Sequence, residues 1–275
     1  GAAGTTNGPF VALPSGNKAW YGISVAPDGT TIYAVVNGGS IWKSTDAGAT
    51  WVDLVTGTKY WQGISVAPDG TTIYATVWNG SIWKSVDAGA TWVALPSGNK
   101  SWKGISVAPD GTTIYAAVGG GSIWKSTDSG ATWVDLVAGN KNWRGISVAP
   151  DGTTIYAVVH GGSIWKSTDA GATWVDLVAG DKNWFGISVA PDGTTIYAVV
   201  HGGSIWKSTD AGATWVDLVT GTKYWQGISV APDGTTIYAA VWNGSIWRSE
   251  WSAYAPVLGV GHTVATIPMA TTTNW

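Results

Sequence analysis

The 275-residue chain has no cysteine, which excludes disulfide staples, thiolate metal sites and thiol nucleophiles. Charge is scarce as well. Asp, Glu, Lys and Arg make up 11% of the residues, and 14 Lys+Arg against 17 Asp+Glu leave a net charge of −3. That balance advertises no basic surface, so no nucleic-acid partner is expected. No apolar run reaches the roughly 18 residues of a membrane helix, and no charged-then-apolar leader opens the chain. These absences predict a soluble protein without membrane insertion, either cytoplasmic or exported to the cell surface by a non-classical route. Helical periodicity is missing over any useful length.

Glycine and tryptophan are abundant: 39 Gly in 275 residues, double the usual share of about 7%, and 21 Trp. Together with many β-branched residues they predict short strands joined by tight turns. The string Gly-Ile-Ser-Val begins at Gly22, Gly63, Gly104, Gly145, Gly186 and Gly227, always 41 residues apart. Residues 143–183 and 184–224 differ at four positions, so 37 of 41 are identical. A period of 40–45 with four strands per unit is the signature of propeller repeats. In the first unit the turn chemistry predicts strands at Gly22–Ala26, Thr31–Val36, Ser40–Thr45 and Trp51–Val55.

The expected fold is therefore all-β: a six-bladed β-propeller of four-stranded antiparallel blades over residues 1–251. Subtracting one period from Trp51–Leu54 lands on Phe10–Leu13, which predicts that the N-terminal strand completes the last blade and closes the ring. Residues 252–275 fall outside the repeat and contain no Lys, Arg, Asp or Glu. This apolar tail is expected to pack on its own barrel or to assemble subunits, and a homo-oligomer is expected.

The motif Ser-x-Asp-x-Gly-x-Thr-Trp recurs around Asp46, Asp87, Asp128, Asp169 and Asp210 and resembles the Asp-box of sialidases and related propellers. Its Asp is placed to cap turn N–H groups, a structural duty. Six further Asp sit in Pro-Asp-Gly turns and four at Asp53, Asp135, Asp176 and Asp217, leaving only Asp181 and Glu250. Near-perfect symmetry offers no asymmetric acid–base pair, and the sialidase resemblance asks for three arginines where the chain has Arg144 and Arg248. No enzyme, no metal site and no cofactor are expected.

Differences between the units are the more informative signal. The residue after the invariant Trp reads Tyr21, Gln62, Lys103, Arg144, Phe185, Gln226. The second-to-third hairpin reads Asn37, Trp78, Gly119, His160, His201, Trp242, and the residue before the Trp reads Ala19, Tyr60, Ser101, Asn142, Asn183, Tyr224. All three columns fall at one end of the strands, so one face is tunable and the other is scaffold. The tunable face also carries Trp20, Trp61, Trp102, Trp143, Trp184 and Trp225, each two residues after a Lys. A flat aromatic with hydrogen-bonding neighbours suits a sugar; the alternative is that these rings fill wedges between blades. The Trp set and the first two columns are the candidate carbohydrate-binding residues. Asn79-Gly80-Ser81, Asn99-Lys100-Ser101 and Asn243-Gly244-Ser245 are glycan acceptor sequences near that face.

The run Trp-x-Gly-Ile-Ser-Val-Ala-Pro-Asp-Gly-x-x-Ile-Tyr-Ala-Val, with Ser-Ile-Trp-Lys and a closing Trp-Val-x-Leu, resembles the tectonin repeat of fungal lectin propellers across roughly residues 10–251. That resemblance implies multivalent sugar binding in up to six inter-blade sites. It also implies a recognition or defence role, with O-methylated glycans such as methylated fucose or mannose termini as targets. The Asp-box strings depart from the usual tectonin pattern and resemble generic Asp-box propellers such as photosystem assembly factors, which would imply a protein-interaction scaffold.

Overall fold

The computed structural model describes residues 10–249. Every helix-or-strand element among them is a strand, 24 in all. The first unit forms strands Lys18–Val25, Ile32–Gly39, Ile41–Ser44 and Val52–Asp53. The Asp28 carboxylate accepts from the Thr30 and Thr31 amides at 2.9 and 2.7 Å, closing the first turn. In the Asp-box, Asp46 accepts from the Thr50 amide at 2.8 Å while the Ser44 hydroxyl accepts from Gly48 N at 2.8 Å. Gly48 sits at φ 88°, in the left-handed region that costs glycine least.

The expected six-bladed propeller of four-stranded blades closed by the N-terminal strand needs correction. The repeats are not separate sheets. Ile32–Gly39 pairs with its own inner strand through Ile32–Val36, then crosses to the next repeat, where Asn37 faces Tyr60 and Gly39 faces Lys59. The same crossing occurs at every boundary, and the last joins the first through Trp242–Ala19 and Gly244–Lys18. Twelve strands thus form one closed antiparallel barrel, and the other twelve flank it outside. The physical reason lies in the length of the first two strands of each unit, eight residues apiece. Their polar, variable ends read as loop in the sequence. Yet their backbone N–H and C=O groups still require partners, and they find them across the repeat boundary.

Side chains reinforce the ring. Each Ser of Gly-Ile-Ser-Val accepts from a Val amide of the following inner strand at 3.1 Å, the series closing with Val25 N donating to Ser229 Oγ. Tyr33 donates to Ala88 O at 3.0 Å in the next repeat, and Tyr74, Tyr115, Tyr156 and Tyr238 do likewise. At the axis each Gly of that motif meets the next backbone: a Cβ on Gly22 would lie 2.7 Å from Gln62 O and 2.9 Å from the Gly63 Cα. Only glycine allows that approach.

On the rim, Phe10–Ala12 pairs antiparallel with Ile246–Ser249, and Leu13 N donates to Ile246 O at 2.8 Å. Phe10 takes the place that Trp51 holds one period later, packing edge-on against Trp225 with centroids 6.3 Å apart. The tail at 252–275, with the readings attached to it, lies outside the described residues.

Candidate functional site

Each inner strand carries a β-bulge two residues into its repeat motif. Trp20 faces Val36 and Ile23 faces Ala34, so three steps on the inner strand match two on its partner. The extra residue re-aims the side chain that follows the Trp. In all six repeats that side chain turns to the axis, so Tyr21, Gln62, Lys103, Arg144, Phe185 and Gln226 line one central cavity of about 100 Å³. The Gly and Ile of each Gly-Ile-Ser-Val complete its wall. Sequence spacing had assigned these six residues to six separate sites. The ring brings them into one.

The cavity is asymmetric and cationic. Lys103 donates to Gln62 Oε1 at 3.1 Å and stands 5.5 Å from the Trp78 ring. The Arg144 guanidinium lies 4.7 Å over Phe185. Burial, then the neighbouring Arg144, push the Lys103 ammonium down to about 7. Burial also lowers Arg144, which the Tyr21 hydroxyl partly offsets, and burial raises Tyr21 above the ordinary phenol. Among the described residues, no Asp or Glu lines the cavity. Arg144 Nε and Gln226 Oε1 are buried and have no hydrogen-bond partner.

The hairpin column forms the mouth. His201 stacks on Phe185 at 4.7 Å, tilts against Tyr224 at 4.8 Å and shares a 2.8 Å hydrogen bond with Gln226. His160 meets Phe185 edge-on at 5.2 Å. Burial depresses both imidazoles; Arg144 lowers His160 further, and His160 lowers His201. Asn37 donates to Trp61 O at 3.3 Å, and the Lys103 stem packs against Gly119, where a Cβ would stand 3.1 Å from Lys103 Cε. Tyr60 with Trp78 and Tyr224 with Trp242 form two edge-on aromatic pairs, each with centroids 5.9 Å apart. All four rings are exposed, Trp78 by 40% and Trp242 by 37%.

The hairpin and before-Trp columns also face each other across the repeat boundaries. Trp78 lies opposite Ser101, Trp242 opposite Ala19, Asn37 opposite Tyr60 and His201 opposite Tyr224. Bulk on one side meets a smaller or flatter group on the other. Tyr60 and Tyr224 were absent from the candidate set, although an aromatic in a variable column is the signal that would have included them.

Trp20, Trp61, Trp102, Trp143, Trp184 and Trp225 are fully buried. Trp20 packs against Trp42 and Trp51 with centroids 6.2 and 5.9 Å apart, and its Nε1 donates to Gly16 O at 3.0 Å. Trp102, Trp143 and Trp184 make the same bond. The Lys before each Trp sits over the third-strand ring instead, as Lys18 does over Trp42 at 4.6 Å. These six rings are wedges in the core and offer no open face to a ligand.

No protein-family model and no curated protein matches the chain. Its fold is similar to a gluconolactonase from Xanthomonas campestris (TM-score 0.74, 14% identity, covering 90% of this chain and 92% of that one). It is similar also to YCF48 bound to a D1 peptide (TM-score 0.56, 15% identity, covering 90% and 99%). An ancestral GH74 enzyme is a third likeness (TM-score 0.62, 17% identity), covering 87% of this chain, which spans 36% of that enzyme. The chain is a β-propeller repeat protein, and none of these three is a tectonin lectin. The expectation that it is not an enzyme is overturned, because this fold carries a lactonase and glycoside hydrolases. The symmetry argument behind that expectation also fails at the axis, where six side chains of five kinds meet.

Proposed function

We propose that the protein is a carbohydrate-binding propeller whose ligand enters one site on the axis, rather than six sites between repeats. The observation that carries this reading is the convergence of Gln62, Lys103, Arg144 and Gln226 beneath the exposed pairs Tyr60–Trp78 and Tyr224–Trp242. Polar groups at the floor take hydroxyls, and open aromatic faces at the mouth stack on the C–H face of a sugar. Two of the similar folds belong to proteins named for carbohydrate chemistry, which agrees with this class of ligand.

Calorimetric titration with a panel of monosaccharides tests it. One site per chain is expected, and Trp78→Ala is expected to weaken binding roughly tenfold, the loss of one stacking contact. Six equivalent sites, or no change in Trp78→Ala, would overturn the axial placement. A peptide ligand on the same face is the second reading. It is favoured by the D1-peptide-bound YCF48, whose length this chain covers almost completely. Competition between monosaccharide and peptide would show whether the two share the face.

A further inference from the structure

We propose that the sugar is an acidic one: the axial cavity takes the carboxylate of a carboxylated monosaccharide on Arg144 and Lys103, and a neighbouring hydroxyl on Gln226. This rests on the carbohydrate reading above and names the substrate class of that same site.

Three observations carry it. The first is charge. Two cationic side chains line a cavity that no Asp or Glu among the described residues shares. Buried cations in proteins are normally paired, and here the cavity itself supplies the place for a counter-ion.

The second is the pair of orphaned atoms. Arg144 Nε is a buried donor with no acceptor, and Gln226 Oε1 is a buried acceptor with no donor. An oxyanion satisfies the first but has no proton for the second. A neutral sugar has hydroxyls for the second but no charge for the first. A hydroxy acid satisfies both, and the Arg fork suits a carboxylate.

The third is size and support. About 100 Å³ is less than the cavity of about 150 Å³ that holds benzene. The carboxylate and the carbon beside it fit inside, while the rest of the ring lies at the mouth among the aromatic pairs. Both cations are held in place, Arg144 over Phe185 at 4.7 Å and Lys103 by Gln62 Oε1 at 3.1 Å.

Among the described residues, the titratable groups lining the cavity beside Lys103 are Arg144 and Tyr21, while His160 and His201 stand by Arg144, Phe185 and Gln226. Above pH 6.5 the depressed imidazoles are neutral, the raised Tyr21 phenol is neutral and Arg144 stays charged. Lys103, near 7, is the group that changes across pH 6.5–8.5. A bound carboxylate favours its charged form, so binding at pH 8.5 takes up a proton and is weaker than at pH 6.5.

The test is calorimetric titration of the full chain with glucuronate, glucose and sulfate at both pH values, in two buffers of different ionisation enthalpy. Glucuronate is expected to bind once per chain, at least tenfold tighter than glucose or sulfate, with proton uptake at pH 8.5. Arg144→Gln is expected to weaken glucuronate roughly 10–100-fold, as for a hydrogen bond to a charged group, and to narrow the preference for glucuronate over glucose by a similar factor. Should Arg144→Gln fail to fold, Lys103→Met reads the same loss together with the disappearance of proton uptake. Equal affinity for glucuronate and glucose would overturn the acidic-sugar assignment and leave the carbohydrate reading standing. Sulfate binding as tightly as glucuronate, with glucose silent, would overturn both and leave a bare anion site. Silence with all three would also overturn both.

Discussion

At the scale of the residue, identical local sequences hold opposite duties a single position apart. Trp143 and Arg144 are neighbours in the chain, yet one is a fully buried wedge and the other faces the axial cavity. Trp143→Ala is expected to cost about 3–5 kcal/mol, the usual loss for a buried large aromatic. Trp78→Ala is expected to leave the melting temperature within a degree or two, and thermal denaturation separates the two. Lys103 makes its own prediction. Its native pKa is about 7 against about 10.4 unfolded. Below pH 7 both states carry the charge, and the full cost of burying it is present. Between pH 7 and 10 the unfolded chain holds more protons, so stability rises with pH. Lys103→Met is expected to raise the melting temperature at pH 6 by about 2–6 °C, with little gain at pH 10. A variant that melts lower at pH 6 would show that Lys103 is not a buried cost.

At the scale of the element, the outer strands end under strain that can be relieved. Val137 follows the strand Val134–Asp135, is 83% exposed and has φ 53°, with its amide donating to Asp135 Oδ1 at 2.8 Å. A β-branched residue in that region is unfavourable by about 1–2 kcal/mol. Val137→Gly is therefore expected to stabilise by up to about 1 kcal/mol, visible as a higher urea midpoint with unchanged slope. The inner strands have the opposite intolerance. A Cβ on Gly145 would stand 2.7 Å from Phe185 O and 3.0 Å from the Gly186 Cα, and the backbone of that strand, held in the closed ring, cannot withdraw. Gly145→Ala is expected to destabilise by about 1–3 kcal/mol, as overpacking does.

The strands' existence, the turns and the variable columns were legible because turn residues and β-branched runs act locally. The strand limits were not. The sequence placed the first strand at Gly22–Ala26, and it runs Lys18–Val25, because its first half pairs with a different repeat. A period of 41 identifies equivalent positions without saying how far each lies from the axis. Tyr21 and its equivalents therefore looked like six sites, and Trp20 looked like a stacking platform.

At the scale of the whole molecule, ring closure couples the ends. Deleting residues 1–13 removes the strand Phe10–Ala12, uncovers the edge at Ile246–Ser249 and empties the place of Leu13 beside Gly48. The melting temperature is expected to fall by at least about 5 °C, and an unchanged melt would show that the rim strand adds nothing to the ring. Acid is the second global lever. Hydrogen bonds from Thr, first the hydroxyl and then the amide, hold Asp87, Asp128, Asp169 and Asp210 down to about 2. A carboxylate depressed in the folded state stabilises above its unfolded pKa of about 3.9 and loses that contribution as pH falls towards 2. Circular dichroism melts are expected to be level from pH 5 to 4 and to drop between 4 and 2. Asp128→Asn is expected to flatten that drop.

Because the inner strands close on themselves, the six side chains at the axis spell a word on a circle. Read from any starting point it is the same word: Tyr, Gln, Lys, Arg, Phe, Gln. A chain cut and rejoined one period along would rotate the spelling and leave the cavity as it was. Exchanging the repeat of Tyr21 with that of Lys103 would keep every letter and change which ones are neighbours, parting Lys103 from Arg144. What the site recognises is thus written in the order of near-identical segments, a level of information that composition, strand pattern and residue-by-residue likeness all pass over.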